Sequence, residues 1–266
     1  MSSQVGALAL AGSGSVTQRL PHSERLILLT ALAAISALSW LYLIRMPMVP
    51  ADLGAVGVRL LSVLPPRLAD VWLTFMMWSV MMVAMMLPSA SPMILTYAAI
   101  ARGRRSNSVY APWIFAGAYL VIWTFFSAAA TAGQLLLEKT SVLSGASRTT
   151  SVAGAILLMV AGLYQLTPLK NTCLAHCRSP IGFFMTEWRD GTSGAFTMGI
   201  KHGAHCLGCC WILMGLLFVF GVMNLIWVAA LSVLILLEKL APFGLAIARL
   251  SGVAMLGGAI ALAVLR

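Results

Sequence analysis

Charge is what this sequence has least of. Only 9% of its 266 residues are Asp, Glu, Lys or Arg, while 61% are hydrophobic. Soluble domains carry roughly a quarter charged residues. So few charges cannot clothe a water-facing surface, which excludes an ordinary soluble enzyme. Acid is scarcer still: seven Asp and Glu against 17 Lys and Arg leave a net charge of +10. The bases sit in short clusters between apolar runs, as the positive-inside rule expects, and no basic tract interleaved with aromatics occurs, so no nucleic-acid partner is implied. No pair of carboxylates lies within an apolar run, which removes the usual mark of a proton relay. A phosphate-binding glycine loop and a serine–histidine–acid order are also missing.

What remains is a succession of apolar runs, and the fold class they imply is all-α: a polytopic transmembrane helical bundle. Spans are expected at 26–44, 71–100, 110–137, 151–169, 202–222, on to Leu240, and at 250–265, about seven in all. The last has 16 residues, which reach about 24 Å against a hydrocarbon core of about 30 Å; without it there are six. Residues 1–25, polar and rich in Gly and Ser, read as a disordered tail, and 26–266 as a single transmembrane domain. Pro47, Pro50, Pro65 and Pro66 mark the long first loop. Pro88 and Pro92, flanking Ser89 and Ser91, break the second span and free backbone carbonyls that must be satisfied or line a cavity. A polar interval runs from Lys170 to Lys201, in which Ile181–Arg189 alternates loosely and suits an interface. Glu238 and Lys239, adjacent at the end of an apolar run, read as an interfacial pair. Seven spans put most Lys and Arg on the side of the amino terminus, which the positive-inside rule places in the cytoplasm together with the 170–201 interval.

All five cysteines fall in one part of the chain: Cys173, Cys177, Cys206, Cys209 and Cys210. Three of the four histidines, His176, His202 and His205, lie among them. A secreted disulfide scaffold spreads its cysteines; this clustering suits metal or redox chemistry. On a helix turning about 100° per residue, with His202 at 0°, His205 falls near −60°, Cys206 near 40°, Cys209 near −20° and Cys210 near 80°. Five donors thus share one stripe, and the pairs His202/Cys206 and His205/Cys209 are spaced to converge on one ion. Cys173, His176 and Cys177 form a second donor set. Thiolate and imidazole suit copper(I) first, with zinc or iron as alternatives. A single buried cysteine is more often packing than ligand; three cysteines and two histidines within nine residues reverse that balance.

The second span is dense in methionine. Met77, Met81 and Met85 make one stripe, and Met82, Met86 and Met93 another on a different face. Thioethers favour copper(I), so Met77, Met81, Met82, Met85 and Met86 are candidates for a soft-metal path. Methionine also fills irregular gaps between helices, and both faces cannot line one path.

The run MMWSVMMVAMMLPSASPM (76–93), CLAHCRSP (173–180), EWRDGTSGAFTMGIKHGAHCLGCCWILM (187–214) and VMNLIWVAALSVLILLEKLAPFG (222–244) together resemble a bacterial family of predicted metal-binding integral membrane proteins, domain of unknown function 2182. The resemblance covers roughly 70–250. It implies metal binding by the Cys and His positions above, in the bacterial inner membrane. His205 stands where the family more often has a tyrosine beside the cysteine, so the resemblance supports it least. The function expected is soft-metal handling or transport, with copper as the ion and the lipid bilayer as surroundings. The alternatives are a membrane thiol redox protein and a metal-containing subunit of a membrane oxidoreductase complex; a homo-oligomer or a membrane partner subunit fits any of the three.

Overall fold

The computed structural model describes residues 20–45, 66–104, 109–139, 143–144, 148–149, 151–222 and 224–264. Ten helices are found among them: α1 (His22–Arg45), α2 (Pro66–Gly103), α3 (Ala111–Lys139), α4 (Ser151–Gln165), α5 (Pro168–Arg178), α6 (Pro180–Glu187), α7 (Gly191–Gly215), α8 (Leu217–Phe220), α9 (Leu225–Leu240) and α10 (Gly244–Val264). A two-residue antiparallel ribbon, β1 (Leu143–Ser144) with β2 (Arg148–Thr149), joins α3 to α4. The expected tail lies outside the described residues up to position 19, and α1 begins at His22, earlier than the apolar run. Of the proline-rich loop expected over 46–70, residues 46–65 lie outside them as well, and 66–70 are helix instead, because Pro66 takes the first position of α2, where no N–H is required.

Among the described residues, five helical stretches are long and apolar enough to cross a membrane: α1, α2, α3, α7 with α8, and α10; there are six if α4 and α5 count as one. The expected seven therefore change in two places. The α4 run stops after 15 residues and α5 continues at 64° to it. The break is chemical: Thr167 caps α5, its hydroxyl accepting from Lys170 N at 3.3 Å, and Pro168 takes the first helical position, where no N–H is required. The doubtful last span proves long enough, because α10 begins at Gly244 and its 21 residues reach about 31 Å. The shortfall belongs instead to α9, whose 16 residues reach only about 24 Å.

The main pairings are α3 with α7, α4 with α10, α2 with α3, α1 with α2, and α5 with α7. Small residues permit two of them. A Cβ at Gly203 would stand 2.8 Å from Ile122 Cγ1, and one at Gly162 would stand 2.8 Å from the Gly252 carbonyl oxygen. Association of helices without a water-driven term depends on such close approach. Large apolar side chains on α1 and α10, such as Leu26, Leu38, Leu250 and Val264, stay exposed, as a lipid-facing surface requires.

Six of the seven methionines of α2 are core. Met77, Met81, Met82, Met85, Met86 and Met93 are all buried. The two prolines leave no buried carbonyl without a partner. Pro88 has no N–H for the Ala84 carbonyl, and Pro92 none for the Pro88 carbonyl. Ser36 Oγ and Trp40 Nε1, both from α1, donate to Ala84 O at 3.3 and 3.2 Å, and Ser91 Oγ donates to Pro88 O at 2.8 Å.

Candidate metal centre

The late half of α2, the start of α3, α5, α6, the middle of α7 and the end of α9 meet in one region of the bundle. Tyr97 of α2 stacks on Trp188, whose face also receives the Arg104 guanidinium, and Phe184 of α6 packs on Tyr97 and Phe115. Of the 181–189 segment expected along an interface, 181–187 belong to helix α6, with Phe183 and Phe184 buried. Gly191, at φ +80°, turns the chain from this segment into α7.

The helical stripe on α7 holds for its thiols. His202, Cys206, Cys209 and Cys210 are all buried. Cys209 and Cys210 give their S–H to the Cys206 carbonyl at 3.1 and 2.9 Å, resting against their own helix. Cys210 Sγ lies 4.0 Å from Met86 Sδ, and Cys209 Sγ lies 4.0 Å from Cys177 Sγ of α5. Four cysteines and one methionine from three helices therefore share a small volume. Cys173 packs its sulfur over Gly208, where a Cβ would stand 3.0 Å from it.

The imidazoles separate from the thiols. His202 stacks between Phe115 and Tyr119 at 5.9 and 5.4 Å, with its Nδ1 buried and unpartnered. His205 turns outward and stacks on the exposed His176 at 4.5 Å. His176 Nδ1 is 2.9 Å from the Thr172 carbonyl; a carbonyl only accepts, so Nδ1 carries a proton. Beside this pair Lys201 bonds Glu187, and its ammonium holds the Glu187 carboxyl below the usual range. Among the described residues, no three His, Cys, Asp or Glu form a ready-made metal site. The thiols are gathered, but two of them point at a carbonyl rather than at a common centre.

The residues that sequence reasoning missed are the charged ones. Lys239 is buried, and its ammonium donates to Cys206 Sγ at 2.9 Å and Ser89 Oγ at 3.0 Å. The Tyr119 hydroxyl stands 3.1 Å from the same sulfur and donates to Met86 O at 3.1 Å. Glu238, next to it on α9, is buried too and is engaged elsewhere. Its carboxylate accepts from Lys170 Nζ at 2.7 Å and Gln165 Nε2 at 2.6 Å. Lys170 Nζ also donates to Cys209 O at 2.5 Å, and Arg178 donates to Glu238 O and Pro242 O at 2.5 and 3.1 Å. The Glu238–Lys239 pair is therefore not interfacial. Adjacent helix positions point about 100° apart, so the two side chains serve different partners inside the bundle. A lysine at the end of an apolar run gives no sign of this, since most such lysines reach the headgroups.

A comparison with curated proteins and one with solved structures each find no match. A family model described as "PpoB2: Copper chaperone" matches residues 75–262. The matched stretch starts in α2, ends in α10 and holds every candidate ligand, leaving outside it residues 1–74, with α1 and the first turns of α2, and residues 263–266. It supports the metal-related family that the motifs suggest, with copper as the metal in that family's description. By this match across most of its length, the chain belongs to the PpoB2 copper-chaperone family.

Proposed function

We propose that this protein is a multi-pass protein of the bacterial inner membrane that receives copper(I) on buried sulfur and hands it on. The observation that carries this reading is the convergence of Cys177, Cys206, Cys209, Cys210 and Met86 from α5, α7 and α2, at sulfur–sulfur separations such as 4.0 Å. Thiolate and thioether are the donors that favour copper(I) over harder ions, and the family match supplies copper independently. Copper is cargo here, not a resident cofactor. The thiols of Cys209 and Cys210 rest on a carbonyl and need only turn about one side-chain bond to meet an ion, which suits exchange better than permanent storage. His176 and His205 stand at the outer edge of the same α5–α7 seam, Cys173 lines it, and His202 backs it from the aromatic side.

Full-length protein purified in mild detergent and exposed to copper(I) tests this by metal analysis and X-ray absorption. Sulfur-ligated copper is expected in the wild type and is lost when Cys206 and Cys209 are both alanine. Copper at background in the wild type, or unchanged in the double variant, would sink the idea. A second reading, thiol redox chemistry, draws on the Cys177–Cys209 approach alone. It requires a disulfide between these two residues after mild oxidation by a small disulfide, visible as a crosslinked peptide by mass spectrometry.

A further inference from the structure

The least expected neighbour of the thiols is Lys239. Burying a charge in a membrane bundle is costly unless an opposite charge accompanies it. The carboxylate nearest in sequence, Glu238, is committed to Lys170 and Gln165. Among the described residues the hydrogen-bond partners of Lys239 are Ser89 and Cys206, neither of them a carboxylate. Of these two partners only the Cys206 sulfur can take a negative charge to balance this ammonium.

Metal-bound cysteines are thiolates. Copper(I) on two thiolates carries a formal charge of −1, and one ammonium beside it makes the loaded site neutral. Two thiolates are also a full set for a soft monovalent ion. A divalent ion on two thiolates is already neutral, and the ammonium then leaves an uncompensated +1. On three thiolates it balances, but the fourth place of the tetrahedral set that zinc takes in structural sites would then fall to the Met86 thioether, a soft donor that suits copper(I) better. Resting on the copper(I) reading of this site, we propose that Lys239 is its specificity-determining residue: the fixed ammonium selects a soft monovalent ion held by two thiolates and disfavours soft divalent ions.

Silver(I) and cadmium(II) separate charge from softness, since both seek thiolates and they differ in charge. Affinities of the full-length protein in mild detergent are measured for each by competition with dithiothreitol. The wild type favours silver(I). Lys239→Met, close in shape and neutral, lowers the silver-to-cadmium affinity ratio by at least about tenfold, on the scale of an uncompensated buried charge. Lys239→Gln, neutral but still able to bond Ser89, does the same and serves if the methionine variant does not fold. A merely structural role weakens both ions by one factor and leaves the ratio alone; that result overturns the assignment. So does a wild type that holds cadmium(II) as tightly as silver(I), whatever the variants do. A wild type that binds neither silver(I) nor copper(I) refutes the copper-handling reading itself, whereas an unchanged ratio with intact silver binding refutes the role of Lys239 alone.

Discussion

Lys170 and Glu238 are each almost wholly buried and 2.7 Å apart, with side-chain exposures of 0% and 2%. Such a pair returns little net stability, because desolvation offsets its attraction, yet removing one member strands the other. Glu238→Gln should therefore cost about 3–5 kcal/mol, read as a lowered midpoint of thermal unfolding in detergent. Glu238→Gln combined with Lys170→Met should recover much of that loss, since no ionic charge is then stranded. The same asymmetry explains which residues the sequence hid. Cysteines and histidines announce themselves by rarity and spacing, and the thiol stripe of α7 follows from helical geometry alone. Lys170, Arg178, Glu238 and Lys239 look like ordinary residues at helix ends. Only the way α5 and α9 bring them against α7 turns them inward, and no local pattern encodes that approach.

At the level of elements, α1 has a definite task although it lies outside the family match. It caps the proline break of α2 by giving Ser36 Oγ and Trp40 Nε1 to the Ala84 carbonyl. Two residues beyond that carbonyl is Met86, whose sulfur meets Cys210, and five beyond is Ser89, which bonds Lys239. Ser36→Ala with Trp40→Phe leaves the Ala84 carbonyl buried without its α1 donors, at a cost of about 1–3 kcal/mol. The expected readout is faster amide hydrogen exchange near the break, reported by mass spectrometry on detergent-solubilised protein; unchanged exchange there would show that α1 does not brace it. The apolar runs gave the order and rough placement of the long helices, because the bilayer demands length and hydrophobicity, but not their number, since α4 stops short and α9 is too brief to count. They did not give α5 and α6, whose polar residues suit a solvated loop equally well. Nor did they show that methionines on both faces of α2 would be buried, with Met86 against a thiol, since thioether serves as filler and as ligand alike.

The whole molecule orders its chemistry along one axis. Exposed His176 and half-buried Cys173, Cys177 and His205 stand toward the polar end, and Cys206, Cys209 and Cys210 lie deeper, wholly covered. On the proposed reading that end, which also holds Arg102, Arg104, Arg178, Arg189 and Lys201, is the cytoplasmic face, because the positive-inside rule puts basic residues there. A reducing compartment keeps free thiols available, so the two inferences agree on where copper enters or leaves. They make a joint prediction about access. A membrane-impermeant maleimide added to inverted inner-membrane vesicles should modify Cys173 first and Cys177 next, and should leave the three α7 cysteines untouched until the protein is unfolded. Right-side-out spheroplasts should show no labelling. Modification from the outer face would reverse the topology, and rapid modification of Cys206 in the folded protein would contradict the burial on which the ammonium–thiolate pairing depends.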